Sequence, residues 1–215
     1  MRFKTRIIGA VLGVSLVASF VLVCLLVYTA LTKPLPTFLT TSSPENTYTI
    51  VLKGQKSQPL FFTVEVRFDV FKNGAHLLSD RFLHSGDSED FPFESMYPNY
   101  RWNNEQTIQF YNEEDLKEHP ADALRVVNTA DKTIKYARIE SVDQVIIFEM
   151  KPGYTTTFAT PKTKGDSKWF RVEGEFADGQ MIPGVAKNLT EISRTGTLTY
   201  LVNIALEKTT IEARR

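Results

Sequence analysis

The residues able to do metal or thiol chemistry are few: three histidines and one cysteine in 215 residues. His76, His84 and His119 stand in no metal-ligand spacing. His84 lies near Asp87, Glu89 and Asp90, and hard cations take several carboxylate oxygens, but the EF-hand spacing and its glycine are missing, so a solvated acidic loop is expected. Asp115 and His119 are four apart and would share one helix face, with no third ligand. The sole cysteine, Cys24, sits inside an apolar run, so the remainder of the chain lacks the thiolate that a copper site of a β-sandwich needs. There is no G-x-S-x-G elbow, no P-loop and no dinucleotide-binding glycine pattern. The sequence therefore predicts no catalytic residue, no metal and no cofactor, while a split serine or carboxylate site would converge only in space.

Binding is better served. Residues 91 to 102 hold Phe91, Phe93, Tyr97, Tyr100 and Trp102 beside Asn99 and Arg101, with Asn103 and Asn104 following. Planar rings next to amides and a guanidinium can stack a sugar or take a partner's side chains. Tyr97, Asn99, Tyr100 and Arg101 are the expected contact residues. Trp102, with Phe91 and Phe93, is expected to plug the fold instead, because large aromatics are mostly buried for their transfer energy.

The elements that must position this loop are strands. In residues 60 to 72, Leu60, Phe62, Val64, Val66, Phe68 and Val70 alternate with Thr63, Glu65, Arg67 and Asp69, the period of a half-buried strand. Asn73-Gly74 suits a type I′ hairpin turn, in which both central residues need positive φ. A plain two-residue loop would set Arg67 opposite Asp80 and Val70 opposite Leu77, whereas a bulge would turn Leu78 and Phe82 inward, and the sequence leaves that register open. Further strands are expected at Leu124 to Asn128, Ile134 to Ile139, Val145 to Met150, Tyr154 to Ala159, around Phe170, Val172 and Phe176, and over Leu198 to Leu206 as a closing strand. Asn112 is placed to cap a short helix ending by Pro120. The fold class is all-β, an antiparallel β-sandwich of immunoglobulin-like or jelly-roll-like type over residues 47 to 215.

Before that domain come residues 1 to 6, a short basic segment, and residues 7 to 31, which run without a charge and exceed the 20 or so residues that cross a bilayer. No small-residue cleavage pattern ends this run, so an uncleaved transmembrane helix is expected. Arg2, Lys4 and Arg6 before it set the N-terminus in the cytoplasm and the domain outside. Gly9 and Gly13 are spaced for close approach of two helices, which makes self-association through the anchor an expectation. Residues 32 to 46, with Pro34, Pro36 and Pro44, read as an extended linker.

Charge and cysteine usage bound the partners. The first 33 residues carry four basic and no acidic side chains, leaving 21 basic against 25 acidic in the rest. A mildly acidic domain is a poor match to phosphate, so nucleic acid is excluded. A domain without disulfides fits a bacterial envelope, at the inner membrane with the domain periplasmic or extracellular. The Asn188-Leu189-Thr190 sequon is one short motif and adds little. Together these predict a lipid partner for residues 7 to 31 and an envelope protein partner for the domain. The alternative is a tethered glycan- or peptide-binding domain using residues 91 to 102.

Overall fold

The computed structural model describes residues 19–25, 28, 36–54, 65–83, 99–111, 121–141, 143–160, 167–190 and 198–214. The chain divides into two compact units, Met1–Pro36 and Thr37–Arg215. In the first, residues 19–25 and Tyr28 are helical and all exposed, among them Phe20, Val21, Leu22, Val23 and Leu25. Among the described residues no helix is long and apolar enough to cross a membrane. Gly9, Gly13 and most of the expected span from 7 to 31 lie outside the described residues.

The second unit is all-β and almost wholly antiparallel. Its strands are β1 (Thr37–Ser42), β2 (Tyr48–Gly54), β3 (Glu65–Lys72), β4 (Ala75–Leu83), β5 (Asn99–Asn104), β6 (Thr107–Tyr111), β7 (Asp122–Asn128), β8 (Ile134–Glu140), β9 (Gln144–Met150), β10 (Thr155–Thr160), β11 (Ser167–Phe176), β12 (Val185–Thr190), β13 (Thr199–Ile204) and β14 (Thr210–Arg214). They form three sheets, ordered β1-β2-β3-β4, β10-β7-β13-β14 and β12-β11-β8-β9-β6-β5. Among the described residues, only β7 and β13 pair in parallel.

Side-chain alternation explains the stacking. On β9, Val145 and Ile147 join one core while Ile146 and Phe148 join another. Successive strand residues point to opposite faces, so β9 is apolar on both sides because both sides are covered. The first core gathers Ile139, Phe170 and Val172 of the six-stranded sheet against Leu124, Val126, Tyr200 and Val202. The second gathers Ile108, Phe110 and Phe148 against Ile50, Leu52, Phe68 and Val70. Each fully buried side chain of this size contributes roughly 1.5 to 3 kcal/mol of transfer energy. The six-stranded sheet is thus a central layer with a four-stranded sheet on each face.

Polar ties pin the first sheet to the central one. The Tyr136 hydroxyl donates to Asp80 on β4 at 3.1 Å, and Arg138, almost wholly buried, lies between Asp80 and Glu173.

Several expectations change. The expected all-β antiparallel sandwich is present, and β1 to β4 add a further layer to it. The linker drawn over residues 32 to 46 is too long, since Thr37–Ser42 is a strand paired to β2 and the second unit begins at Thr37 rather than 47. Threonine is a good strand former, and a partner ladder uses its backbone where a tether would leave it in water. The hairpin takes the bulged register: a shift between Val70 and Phe71 pairs Val70 with Leu78 and Arg67 with Arg81, and buries Leu78. The strand expected at Tyr154 to Ala159 is present as β10, and it pairs with β7. Leu198 to Leu206 supplies β13 but does not close the fold, because β14 follows and pairs with it. The expected helix after Asn112, residues 55 to 64 and residues 91 to 98 lie outside the described residues.

Candidate functional site

Of the four expected contact residues, Tyr97 lies outside the described residues and Asn99, Tyr100 and Arg101 open β5, an outer strand of the central sheet. Tyr100 is 41% exposed and tilts against Phe110, with ring centres 6.4 Å apart. Arg101, next in an extended strand, faces the other way. Its Nε donates to Gln109 Oε1 at 2.9 Å, a guanidinium nitrogen donates to the Ala159 carbonyl at 3.1 Å, and its plane lies 5.2 Å over the Tyr111 ring. Trp102 shares the Tyr100 face and packs on the second core, its indole N–H donating to Thr41 Oγ1 at 3.1 Å. The expected site is therefore an edge strand held from both faces. Among the described residues no strand pairs with its outer side.

Behind Arg101 runs a buried polar chain. Gln109, wholly buried, accepts from Arg101 and Asn103 and donates to Asp143 and to the Ala159 carbonyl. Thr160 donates to Asp143 at 3.0 Å and accepts from Lys168 Nζ at 2.9 Å. The Lys168 ammonium lies 4.7 Å from the Tyr200 ring centre and 5.4 Å from that of Phe170. Asp122 accepts from the Leu198 amide at 3.0 Å and the Tyr200 hydroxyl at 3.3 Å. Burial pushes the Lys168 ammonium down to about 8, against the pull of Asp143 and Asp122. Burial likewise pushes the Asp143 carboxyl up, although Lys168, Gln109 and Thr160 oppose it. Perturbed groups of this kind mark active sites when a reagent can reach them. Lys168, Thr160 and Gln109 have no exposed surface, so this chain closes one end of the sandwich and backs β5.

The opposite strand ends carry an open cleft of about 380 Å³, lined by Thr47, Tyr48, Lys72, Asn104, Glu105, Gln106 and Tyr154. Three turns are tied together around it. Glu105 accepts from Ser43 Oγ and from the amides of Glu45 and Thr47 at 2.8 and 3.1 Å. The Asn73 amide donates to the Thr47 carbonyl at 2.8 Å. Desolvation pushes the Glu105 carboxyl up, but the donors from Ser43 and Glu45 outweigh it and hold it below the usual range. Glu149 is treated the same way: desolvation raises it, and Lys72 and Tyr48 bring it below. Lys72 Nζ reaches both Glu149 oxygens at 2.8 and 2.7 Å, and the Tyr48 hydroxyl donates to one of them at 2.7 Å.

Left-handed backbone gathers at this cleft. Among the described residues the non-glycine positions with positive φ are Asn46 at 60°, Asn73 at 49° and Glu149 at 47°. Asn46 and Asn73 adjoin lining residues, and Glu149 holds Lys72 and Tyr48. Asparagine tolerates this conformation, whereas glutamate within a strand does so at a cost of roughly 1 to 3 kcal/mol.

Sequence reasoning missed both constellations. Lys168 shares strand parity with Phe170 and Val172, which is a signal for an inward lysine. The cleft draws on turns far apart in the chain and has no local signal beyond Asn73-Gly74. His76 hydrogen-bonds Ser79 at 2.8 Å and sets its edge on Phe71. Among the described residues no group of three or more His, Cys, Asp or Glu side chains is placed to hold a metal ion, and His84 and His119 lie outside them. Comparison of the chain with protein-family models, with curated proteins and with solved structures finds no match.

Proposed function

We propose that this chain is a single-pass, membrane-anchored protein of a bacterial envelope, with its N-terminus in the cytoplasm and its β domain outside, acting as an interaction or assembly component. The observation that carries it is the uncharged run from 7 to 31 behind Arg2, Lys4 and Arg6. The helical positions 20 to 23, which span all sides of a helix, are apolar and exposed, and a helix apolar all round calls for lipid or protein cover. Gly9 and Gly13 are where a second copy of the helix would meet the first.

The partner surface in this proposal is β5. Tyr100 and Arg101 face opposite sides, so a compact glycan would touch one of them, while an extended protein segment laid along the strand meets both sides and the backbone edge. This favours an extended segment of a protein partner over the glycan-binding alternative placed on residues 91 to 102. A photo-crosslinking residue at Tyr100 of the full chain in native membranes is expected to give one discrete adduct, and the same residue at exposed Met181 none. Equal, diffuse labelling at both positions would remove β5 as the docking strand.

A further inference from the structure

We infer that the cleft between Tyr48, Lys72, Asn104, Gln106 and Tyr154 is a binding site for a neutral saccharide. The cleft lies at the end of the molecule away from Arg101 and Lys168, takes only the last residue of β5, Asn104, and does not depend on the membrane anchor or on Tyr100.

The first argument is charge. The cleft contains Lys72 and Glu105, yet both are already engaged. Lys72 is held by both oxygens of Glu149, and Glu105 is occupied by Ser43 and two backbone amides. An ionic ligand would have to break one of these pairs and leave a partly buried charge without its partner. A neutral ligand displaces nothing.

The second argument is what remains unengaged. Asn104 Oδ1 caps the Gln106 amide at 2.9 Å, and Gln106 Nε2 points to the Glu149 carbonyl at 3.5 Å. Among the described residues Asn104 Nδ2, Gln106 Oε1 and the Tyr154 hydroxyl have no hydrogen-bond partner. They amount to a donor amide, an acceptor amide and a two-way hydroxyl in one shallow cleft. Sugar hydroxyls both donate and accept, so this set matches a diol edge. Tyr154 also packs against the first core, stays only half-buried and lines the cleft, so it offers an anchored aromatic side chain of the kind a pyranose rests on.

The third argument is rigidity. Glu149 holds a strained backbone conformation here, Asn46 and Asn73 adopt the left-handed conformation of tight turns, and the ties from Glu105 and Asn73 lock the contributing turns before any ligand arrives. Tyr48 is stacked on Phe148 at 5.2 Å and 17°. A cleft whose parts are already fixed loses little freedom on binding, and strain at a site that the fold must overcome is a mark of function.

The test uses the full chain in phospholipid nanodiscs, free of sugar-headed detergent, and saturation-transfer NMR with four probes: a tetrasaccharide of N-acetylglucosamine, one of β-1,4-linked glucose, a sulfated heparin tetrasaccharide, and tetra-alanine. At least one neutral tetrasaccharide is expected to bind at millimolar concentration. Asn104→Asp keeps the oxygen that caps the turn and removes the Nδ2 donors, and Tyr154→Phe removes only the hydroxyl. Each is expected to weaken binding by about tenfold, the loss of one good hydrogen bond, with unchanged melting. Tyr100→Ala, on β5, is expected to bind as the wild type does. No binding of either neutral probe, binding confined to the sulfated sugar or the peptide, or loss of binding in Tyr100→Ala with retention in Asn104→Asp would each overturn the inference.

Discussion

At the scale of single residues, Trp102 and Lys168 show how differently a side chain can be hidden. Trp102 sits at the margin of the second core, 6.4 Å from the Phe148 ring centre, with its indole nitrogen tied to Thr41. Full burial of a large aromatic is worth about 3 to 5 kcal/mol on truncation, and a ring that keeps some exposure less, so Trp102→Ala is expected to cost about 2 to 3 kcal/mol in denaturant melts. Tyr100→Ala is expected to cost well under that, because the residue is 41% exposed; equal losses would contradict the packing described. Lys168 makes a prediction through pH. Its ammonium is held less firmly in the folded state than in the unfolded chain, so between about 8 and 10.5 the unfolded state binds the extra proton and stability rises with pH. The difference in melting temperature between wild type and Lys168→Met should therefore grow in favour of the wild type across that window. A flat difference would mean that Lys168 is solvated. The plug role of Trp102 was legible from its type, since indoles are mostly buried. The inward Lys168 was not, because a lysine at the head of a strand is read as solvent-facing unless its parity with Phe170 is followed back.

Elements were legible where their periodicity was strong and illegible where pairing depends on distant chain. Alternation in β3, β7, β8 and β13 was plain, and Asn73-Gly74, at φ 49° and 79°, made the expected hairpin turn. The bulge that sets its register was one of two open choices, decided when Leu78 entered the core beside Val70. The path of β10 was not legible, because Pro152-Gly153 makes the same local turn whether the chain returns to its neighbour or crosses to another sheet. β12 and β14 were missed: Lys187, Asn188, Glu212 and Arg214 dilute their apolar signal. Gly174 carries the sharpest prediction at this scale. It lies mid-strand in β11, and a Cβ there would stand 2.2 Å from the Tyr136 carbonyl oxygen and 2.7 Å from Ile182. Backbone cannot rotate aside as a side chain can, so Gly174→Ala is expected to destabilise by about 3 kcal/mol or more, the upper end for overpacking. Gly184→Ala, whose nearest contact would be an ordinary 3.6 Å, is the matched control and should melt near the wild type. Comparable losses in both would mean that the close approach at Gly174 is not what selects glycine.

The whole molecule combines an uncharged apolar run over residues 7 to 31 with a domain whose stacking no short window reveals. The continuous apolar face of β9 is ambiguous in one dimension, since a strand buried on both faces and a fragment of buried helix give the same pattern. Only the meeting of β1 to β4 with one face and β7, β10, β13 and β14 with the other distinguishes them. The linker was misjudged for a related reason: threonines between prolines look like a tether until β2 offers a ladder to pair with. What remains strongest at this scale is the asymmetry of the first 33 residues, four basic and no acidic, around a run too long for an ordinary signal peptide. The full chain is therefore expected to stay in the membrane fraction through alkaline carbonate, with residues 7 to 31 retained in the mature protein. In a Cys24→Ser background, Met181→Cys replaces an exposed side chain of the domain, 61% accessible, with a single thiol. A membrane-impermeant maleimide should label it in intact spheroplasts without lysis. Labelling only after lysis would invert the orientation, and a mature protein beginning after residue 19 would replace the anchor by a cleaved leader, leaving the β domain free.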